Sequence, residues 1–284
     1  MPTVSAGIFA LVLLAALLHA VWNALVKGGS DKSAAMMAVV IGQGVAGLLV
    51  LPFAPAPDLA SLPYMILGML LHIGYQVFLV AAYRIGDLTQ VYPIARGASP
   101  VIVTAVSVLL LGVAFSAQEL IAVAMIAGGI ASMSLARGTA GLVQGKAALL
   151  ALVTGAFIAS YSMSDGLGAR LAGTALGYYA WVSILNTVGF AALGGLLRPG
   201  LVTAGLRQVK SLVIGGGASF VAYALVVHAF TLAPIALVTA LRETSIVFAL
   251  GIGVLFLGER LTPIKVIATL ATVAGAALLR MAHL

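Results

Sequence analysis

Two arginines stand in segments too apolar to face water, Arg96 within LTQVYPIARGASPVIVTAVSVLLL and Arg242 within ALVTALRETSIVFALGIGVLFL. A central arginine costs roughly 2.5–3.5 kcal/mol on insertion scales, so each should face protein or a water-filled cavity rather than lipid. A guanidinium in such a place can hold a carboxylate through paired N–H groups, which makes recognition of an anionic head group the candidate chemistry. A second reading is structural: Glu243 pairs with Arg242 or Arg96, and backbone carbonyls freed by Pro93 and Pro100 take the remaining donors. The sequence leaves both open.

Other polar residues fall on helical stripes. His72, Tyr75, Gln76 and Tyr83, with Leu79 between them, share one face of an otherwise aliphatic segment. His19, Trp22 and Asn23 share another, with Lys27 one turn further on. Ser160, Tyr161 and Ser164 form a third group and Ser219, Tyr223 and His228 a fourth, while Tyr92 and Ser245 complete the residues expected to line a cavity. Tyr178, Tyr179 and Trp181 suit an interfacial aromatic belt. Glu243, His19, His72 and His228 are the intramembrane groups able to exchange a proton, although a neighbouring arginine should keep Glu243 ionised. Zinc-protease spacing is absent, no nucleophile is presented with a base, and no cofactor is implied.

The elements that position these residues follow from composition. Hydrophobic residues make up 63% of the 284 and charged residues 7%, against about 25% charged in soluble domains. The chain therefore reads as an all-α polytopic membrane protein whose partner is the lipid bilayer. Its net charge of +7 lies in connections and implies no nucleic acid. Zero cysteines exclude disulfides. Ten apolar segments are expected near 5–26, 34–51, 63–83, 89–111, 118–136, 147–164, 174–197, 211–231, 236–257 and 263–281, each long enough for a core of ~30 Å. The first is expected to be a retained span.

Lys27, Lys32, Arg84, Arg137, Lys146, Arg198, Arg207, Lys210, Arg260 and Lys265 follow odd-numbered segments. By the positive-inside rule these connections face the cytoplasm, and both termini are periplasmic. Shifting the chain by the 146 positions between Arg96 and Arg242 also lays Ser245 on Ser99, Gly258 on Gly112 and Gly275 on Gly129. Residues 1–138 and 139–284 thus read as two five-helix repeats, and an odd number of spans makes the second inverted relative to the first, around a central cavity.

Trp22-Asn23 with Lys27 downstream, the ending Leu257-Gly258-Glu259-Arg260-Leu261-Thr262 and the following Gly275 segment resemble the EamA-type exporters of the drug/metabolite transporter superfamily. The resemblance covers nearly the whole chain and is closest to exporters of amino acids, aromatic ones included. It implies a bacterial inner-membrane carrier that exports small metabolites by alternating access. Val113 stands where the second half has Glu259, so the glutamate's role is not symmetric; at the end of its segment it is expected to anchor or gate. Amino acids and related small amphiphiles are the expected substrates. Lipophilic cations or phosphorylated metabolites are the alternative, and an intramembrane enzyme is a reading from another class. The oligomeric state stays open, a monomer being compatible with the sequence.

Overall fold

The computed structural model describes residues 6–111, 116–134, 145–233 and 235–281. Val113, Arg137 and the boundary between the expected halves lie outside the described residues. Helix makes up 89% of the structure, with no strand among the described residues. In chain order the helices are α1 (Ala6–Gly28), α2 (Lys32–Val50), α3 (Leu62–Ile85), α4 (Leu88–Leu111), α5 (Ala117–Ser134), α6 (Gly145–Leu171), α7 (Ala175–Leu197), α8 (Leu201–Leu206), α9 (Gly216–Leu232), α10 (Ile235–Arg242), α11 (Ser245–Leu257) and α12 (Pro263–Met281). A π-helical turn, Ser211–Gly215, leads into α9.

Six of these, α1, α2, α3, α6, α7 and α9 with its π turn, are long and apolar enough to cross a bilayer. The solvent-facing logic is inverted. Leu49, Leu196, Leu255, Phe256 and Ile267 are exposed, while Asp165, Arg242, Glu243 and Lys265 are fully buried. Such a surface suits lipid, and the chain is a polytopic membrane protein.

Two elements differ from the sequence expectation. A break was expected from Asp165 onward, but α6 continues to Leu171. Nothing in DGLGARL forbids helix, and the Asp165 side chain finds partners inside the bundle rather than in water. Conversely, 236–257 was expected as one span, yet α10 and α11 are separated by a turn at Glu243 and Thr244. There Thr244 N–H and Ile246 N–H donate three residues back, to Leu241 and Glu243 carbonyls, and Thr244 Oγ1 donates to the Leu241 carbonyl as well. That local bonding is a tighter turn than the α-helix on either side.

Small residues set the close approaches. Gly129 packs on the Ala268 carbonyl and Thr272, and Gly275 packs on the Ala122 carbonyl and Ile126, joining α5 to α12. On α2, a Cβ at Gly42 would lie 1.9 Å from the Leu212 carbonyl oxygen, and one at Gly216 would lie 2.5 Å from Gly42 Cα. Gly42→Ala must therefore push α9 and its π turn off α2, at about 1–3 kcal/mol. A drop in the thermal midpoint of the purified protein, larger than for Gly217→Ala, which meets open space, checks this.

Between α1 and α2, Asp31 accepts from Ser33 N–H at 3.0 Å and Ala34 N–H at 3.1 Å, capping α2, and pairs with Arg198 at 2.6 Å. The Arg198 hydrogen bond, aided by the backbone donors, holds the Asp31 carboxyl below the usual range. A depressed folded value means that this contribution is present above the ordinary aspartate range and is lost as pH falls through the folded value. The gap in thermal midpoint between the natural protein and Asp31→Asn should accordingly close as pH drops below about 4.

Candidate functional site

α1, α2, α3, α6, α7 and α9 enclose a central cavity lined by His19, Trp22, Gln43, His72, Tyr75, Gln76, Tyr161, Tyr179, Ser219 and Tyr223. Its free volume of about 20 Å³ admits roughly one water, so the centre is closed in this conformation. The stripes expected from spacing do converge here. Trp22 Nε1 donates to His19 Nδ1 at 3.1 Å, and His72 stacks on Tyr161 with ring centres 4.2 Å apart. Tyr83 and Asn23 are instead spent on each other, the hydroxyl donating to Asn23 Oδ1 at 2.7 Å and tying α3 to α1.

A fully buried carboxylate, Asp165, forms a wall of buried charge just behind the lining residues His72 and Tyr223. His72 Nε2 lies 2.8 Å from its Oδ2, Tyr223 donates to the same oxygen at 2.8 Å, and Tyr178 donates to Oδ1 at 3.2 Å. Four helices, α3, α6, α7 and α9, meet at this one side chain. Gly68 makes room for it, since a Cβ there would sit 2.5 Å from Oδ1. Sequence reasoning missed Asp165 by ending the span before it. The four-residue step from Tyr161, itself expected to line the cavity, was the signal that places it on that face. Tyr178 and Tyr179 are likewise no interfacial belt: both are buried, and Tyr179 pairs with Gln43. Trp181 alone of that group is exposed.

The arginines form a second wall of buried charge, next to cavity-lining Tyr223 rather than on the lining itself. Arg96 Nη2 lies 3.3 Å from Glu243 Oε1, so the glutamate pairs with the arginine of α4 rather than with its sequence neighbour. Arg242 is fully buried, approaches Ser162 Oγ at 3.5 Å and stands 5.7 Å from the Tyr223 ring centre. Among the described residues, Arg242 Nε and Nη2 and Arg96 Nε meet no hydrogen-bond acceptor, and the Glu243 carboxylate oxygens meet no donor in hydrogen-bonding geometry, so the group is incompletely bonded on both signs. Tyr92 and Ser245 are buried beside this group. Ser164 reaches the Tyr64 carbonyl at 3.4 Å, and His228 points away from the centre, exposed on α9.

At the end of α1 the turn between α3 and α4 is clamped from three sides. Lys27 donates to the Tyr83 and Gly86 carbonyls, where α3 ends. Glu259 accepts from Leu88 N–H at 2.7 Å and Thr89 N–H at 2.8 Å, where α4 begins. Fully buried Lys265 reaches Thr89 Oγ1 at 2.7 Å and Asp87 Oδ2 at 3.3 Å. Gly258, with φ of 64°, ends α11 in the left-handed conformation that favours glycine and turns Glu259 toward α4. Cation on a helix C-terminus and anion on an N-terminus both complement the backbone dipole. The anchoring expected of Glu259 thus has a definite target, while Asp87 and Lys265 were not anticipated.

Replacing Glu259 by Ala leaves two buried N–H groups without an acceptor, a loss of about 2 kcal/mol. The natural chain has no cysteine, so a single Val91→Cys reporter, at a position now fully buried, should react with a water-soluble maleimide much faster in the Glu259→Ala background. Equal rates would mean that the clamp does not hold this end shut.

No protein-family model matches the chain, and no curated protein matches it. Among solved structures, a chain described only as "Crystal structure of protein" superposes with a TM-score of 0.64 at 17% identity, over 97% of this chain and 98% of its own. At that identity the likeness shows a shared fold and nothing about activity.

Proposed function

We propose that this protein is a carrier of the EamA type in the drug/metabolite transporter superfamily, exporting amino acids and related small amphiphiles across a bacterial inner membrane by alternating access. The observation that carries the reading is the wall formed by Arg96, Arg242 and Glu243. Two buried guanidinium groups stand near one buried carboxylate that pairs with Arg96, and among the described residues Arg242 Nε and Nη2 and Arg96 Nε meet no acceptor while the Glu243 oxygens are themselves poorly bonded. Unsatisfied buried donors are costly, and a substrate carboxylate is the group that would complete them. The aromatic rings of Trp22, Tyr75, Tyr161 and Tyr223 supply the apolar side of such a site.

Ten spans in two inverted halves, 1–138 and 139–284, fit the packing. Under the 146-residue shift Gly129 corresponds to Gly275 and Ala122 to Ala268, and the contacts are reciprocal: Gly129 on Ala268, Gly275 on Ala122. An approximate two-fold axis between α5 and α12 accounts for that exchange. The cluster of Lys27, Lys32, Arg84, Arg198 and Lys265 at one end of the bundle supports placing that end in the cytoplasm. The export direction follows from the family resemblance.

Asp165 favours a second reading, efflux of lipophilic cations, because it supplies the intramembrane carboxylate that a cation requires. Counterflow in sealed proteoliposomes, with labelled neutral, aromatic, basic and acidic amino acids beside a lipophilic cation, separates the two. Saturable amino-acid exchange is expected. Arg242→Ala should weaken apparent affinity by about ten- to 150-fold, the equivalent of ~1.5–3 kcal/mol for a hydrogen bond to a charged group. Exchange of the cation alone would overturn the amino-acid reading.

A further inference from the structure

The Asp165 wall has a feature that carboxylate recognition does not use. Its three donors are chemically unequal. The hydroxyls of Tyr178 and Tyr223 can only donate to a carboxylate, whereas the imidazole of His72 can take up or give off a proton while keeping its 2.8 Å contact. His72 also lines the central cavity, with its ring stacked on Tyr161 and edge-on to Tyr223 at 5.2 Å. The proton-exchanging group thus borders the space that alternating access opens to either side, while its counter-charge lies behind it, fully buried.

We infer that His72 and Asp165 form a proton-carrying pair that couples transport to proton movement. In the loaded form both ring nitrogens of His72 carry hydrogen and Nε2–H donates to the Asp165 carboxylate. In the unloaded form one ring nitrogen is bare, and the proton has passed to water in whichever compartment the cavity faces. No other bond changes.

The surroundings fit a site of one proton. From α6 itself the neighbours are Tyr161, Ser162 and Ser164. α3 adds Tyr64, Tyr75 and Gln76, α7 adds Tyr178 and Tyr179, α9 adds Tyr223, and α1 adds His19. α4 and α10 bring Arg96 and Arg242, with Glu243 in the turn that follows. The formal charges of Arg96 and Arg242 offset those of Glu243 and Asp165, so a proton added to His72 brings one further positive charge into a closed interior. An ammonium group entering the cavity would be repelled by that charge and attracted to Asp165 without it. Proton and substrate amine therefore exclude one another, which is the condition for exchanging one against the other. This consequence and the coupling to transport rest on the carrier reading; the proton site does not.

The test uses the full-length protein in liposomes adsorbed on a solid-supported membrane and exposed to pH jumps with no organic substrate. A transient displacement current that saturates with proton concentration and is absent from protein-free liposomes is expected. Asp165→Asn should reduce it to the protein-free level. His72→Gln, which keeps an N–H toward the carboxylate and decides the matter if Asp165→Asn fails to assemble, should do the same. No current from the natural protein, or a current kept in both variants, would overturn the inference. So would a current kept in Asp165→Asn but lost in Glu243→Gln, which assigns the proton to the other carboxylate. Failure of counterflow with every amino acid would sink the carrier reading and leave this current unaffected.

Discussion

Burying an ionised group in a low-dielectric interior is the constraint on which the rest of this structure turns. Desolvation costs several kcal/mol per ion even after relaxation, and only close, well-directed partners offset it. Asp165 meets the condition by drawing donors from α3, α7 and α9 at once. These three helices are therefore fixed relative to α6 by one carboxylate, with Gly68 as the notch that lets it approach. Well-packed aliphatic residues would stabilise a bundle at least as well, so the charges are poorly explained by stability alone. The arginine wall makes the contrast sharper, because its donors are incompletely satisfied where those around Asp165 converge. One wall is complete in the closed state and the other is not.

The clamp on the α3–α4 turn follows the same electrostatic rule with backbone as the partner. Helix ends present unpaired carbonyls and N–H groups, which inside a bilayer protein must be satisfied locally. Lys27 serves the carbonyls that end α3 and Glu259 the N–H groups that begin α4, each sign matched to the end it meets. Because Lys27 belongs to α1, Glu259 follows α11 and Lys265 belongs to α12, the clamp brings three helices onto the α3–α4 turn and gathers five at one end. In a carrier of the proposed kind, opening that end would require these contacts to separate together.

Much of this was legible in the sequence, for definite reasons. The stripes His19–Trp22–Asn23 and His72–Tyr75–Gln76 show as polar residues at helical spacing in apolar surroundings, and lipid leaves such stripes no place but inside. Arg96 and Arg242 stand out because nothing else in their segments is charged except Glu243. Asp165 was hidden by context: glycines and a nearby arginine after it look like a loop, and only its partners on other helices reveal that it is interior. The pairing of Glu243 with Arg96 rather than Arg242 was hidden for a different reason. Adjacent helical residues point in directions about 100° apart, so sequence neighbours cannot face one another, and the turn at Glu243–Thr244 was not foreseen. His228 shows the converse error, a polar residue at the right spacing whose face the packing turns outward.

The turn between α10 and α11 bears on how a carrier of the proposed kind would open its closed centre. It falls immediately after Arg242, at the wall with unsatisfied donors, whereas α4 runs unbroken through the equivalent position after Arg96. In carriers built from inverted repeats, broken helices mark the binding site, and the two halves exchange conformations as access alternates. Under the inverted-repeat carrier reading proposed above, that exchange would straighten the chain through Glu243–Thr244 and bend α4 at Gly97-Ala98, just past its own arginine. Glycine tolerates such a bend with little penalty, and Ala98 is small. The Arg96–Glu243 contact joins the two segments that would trade shapes. A substrate carboxylate competing for Arg96 would loosen that contact, so the same ligand that completes the arginine wall would also release the bend, making recognition and opening a single event.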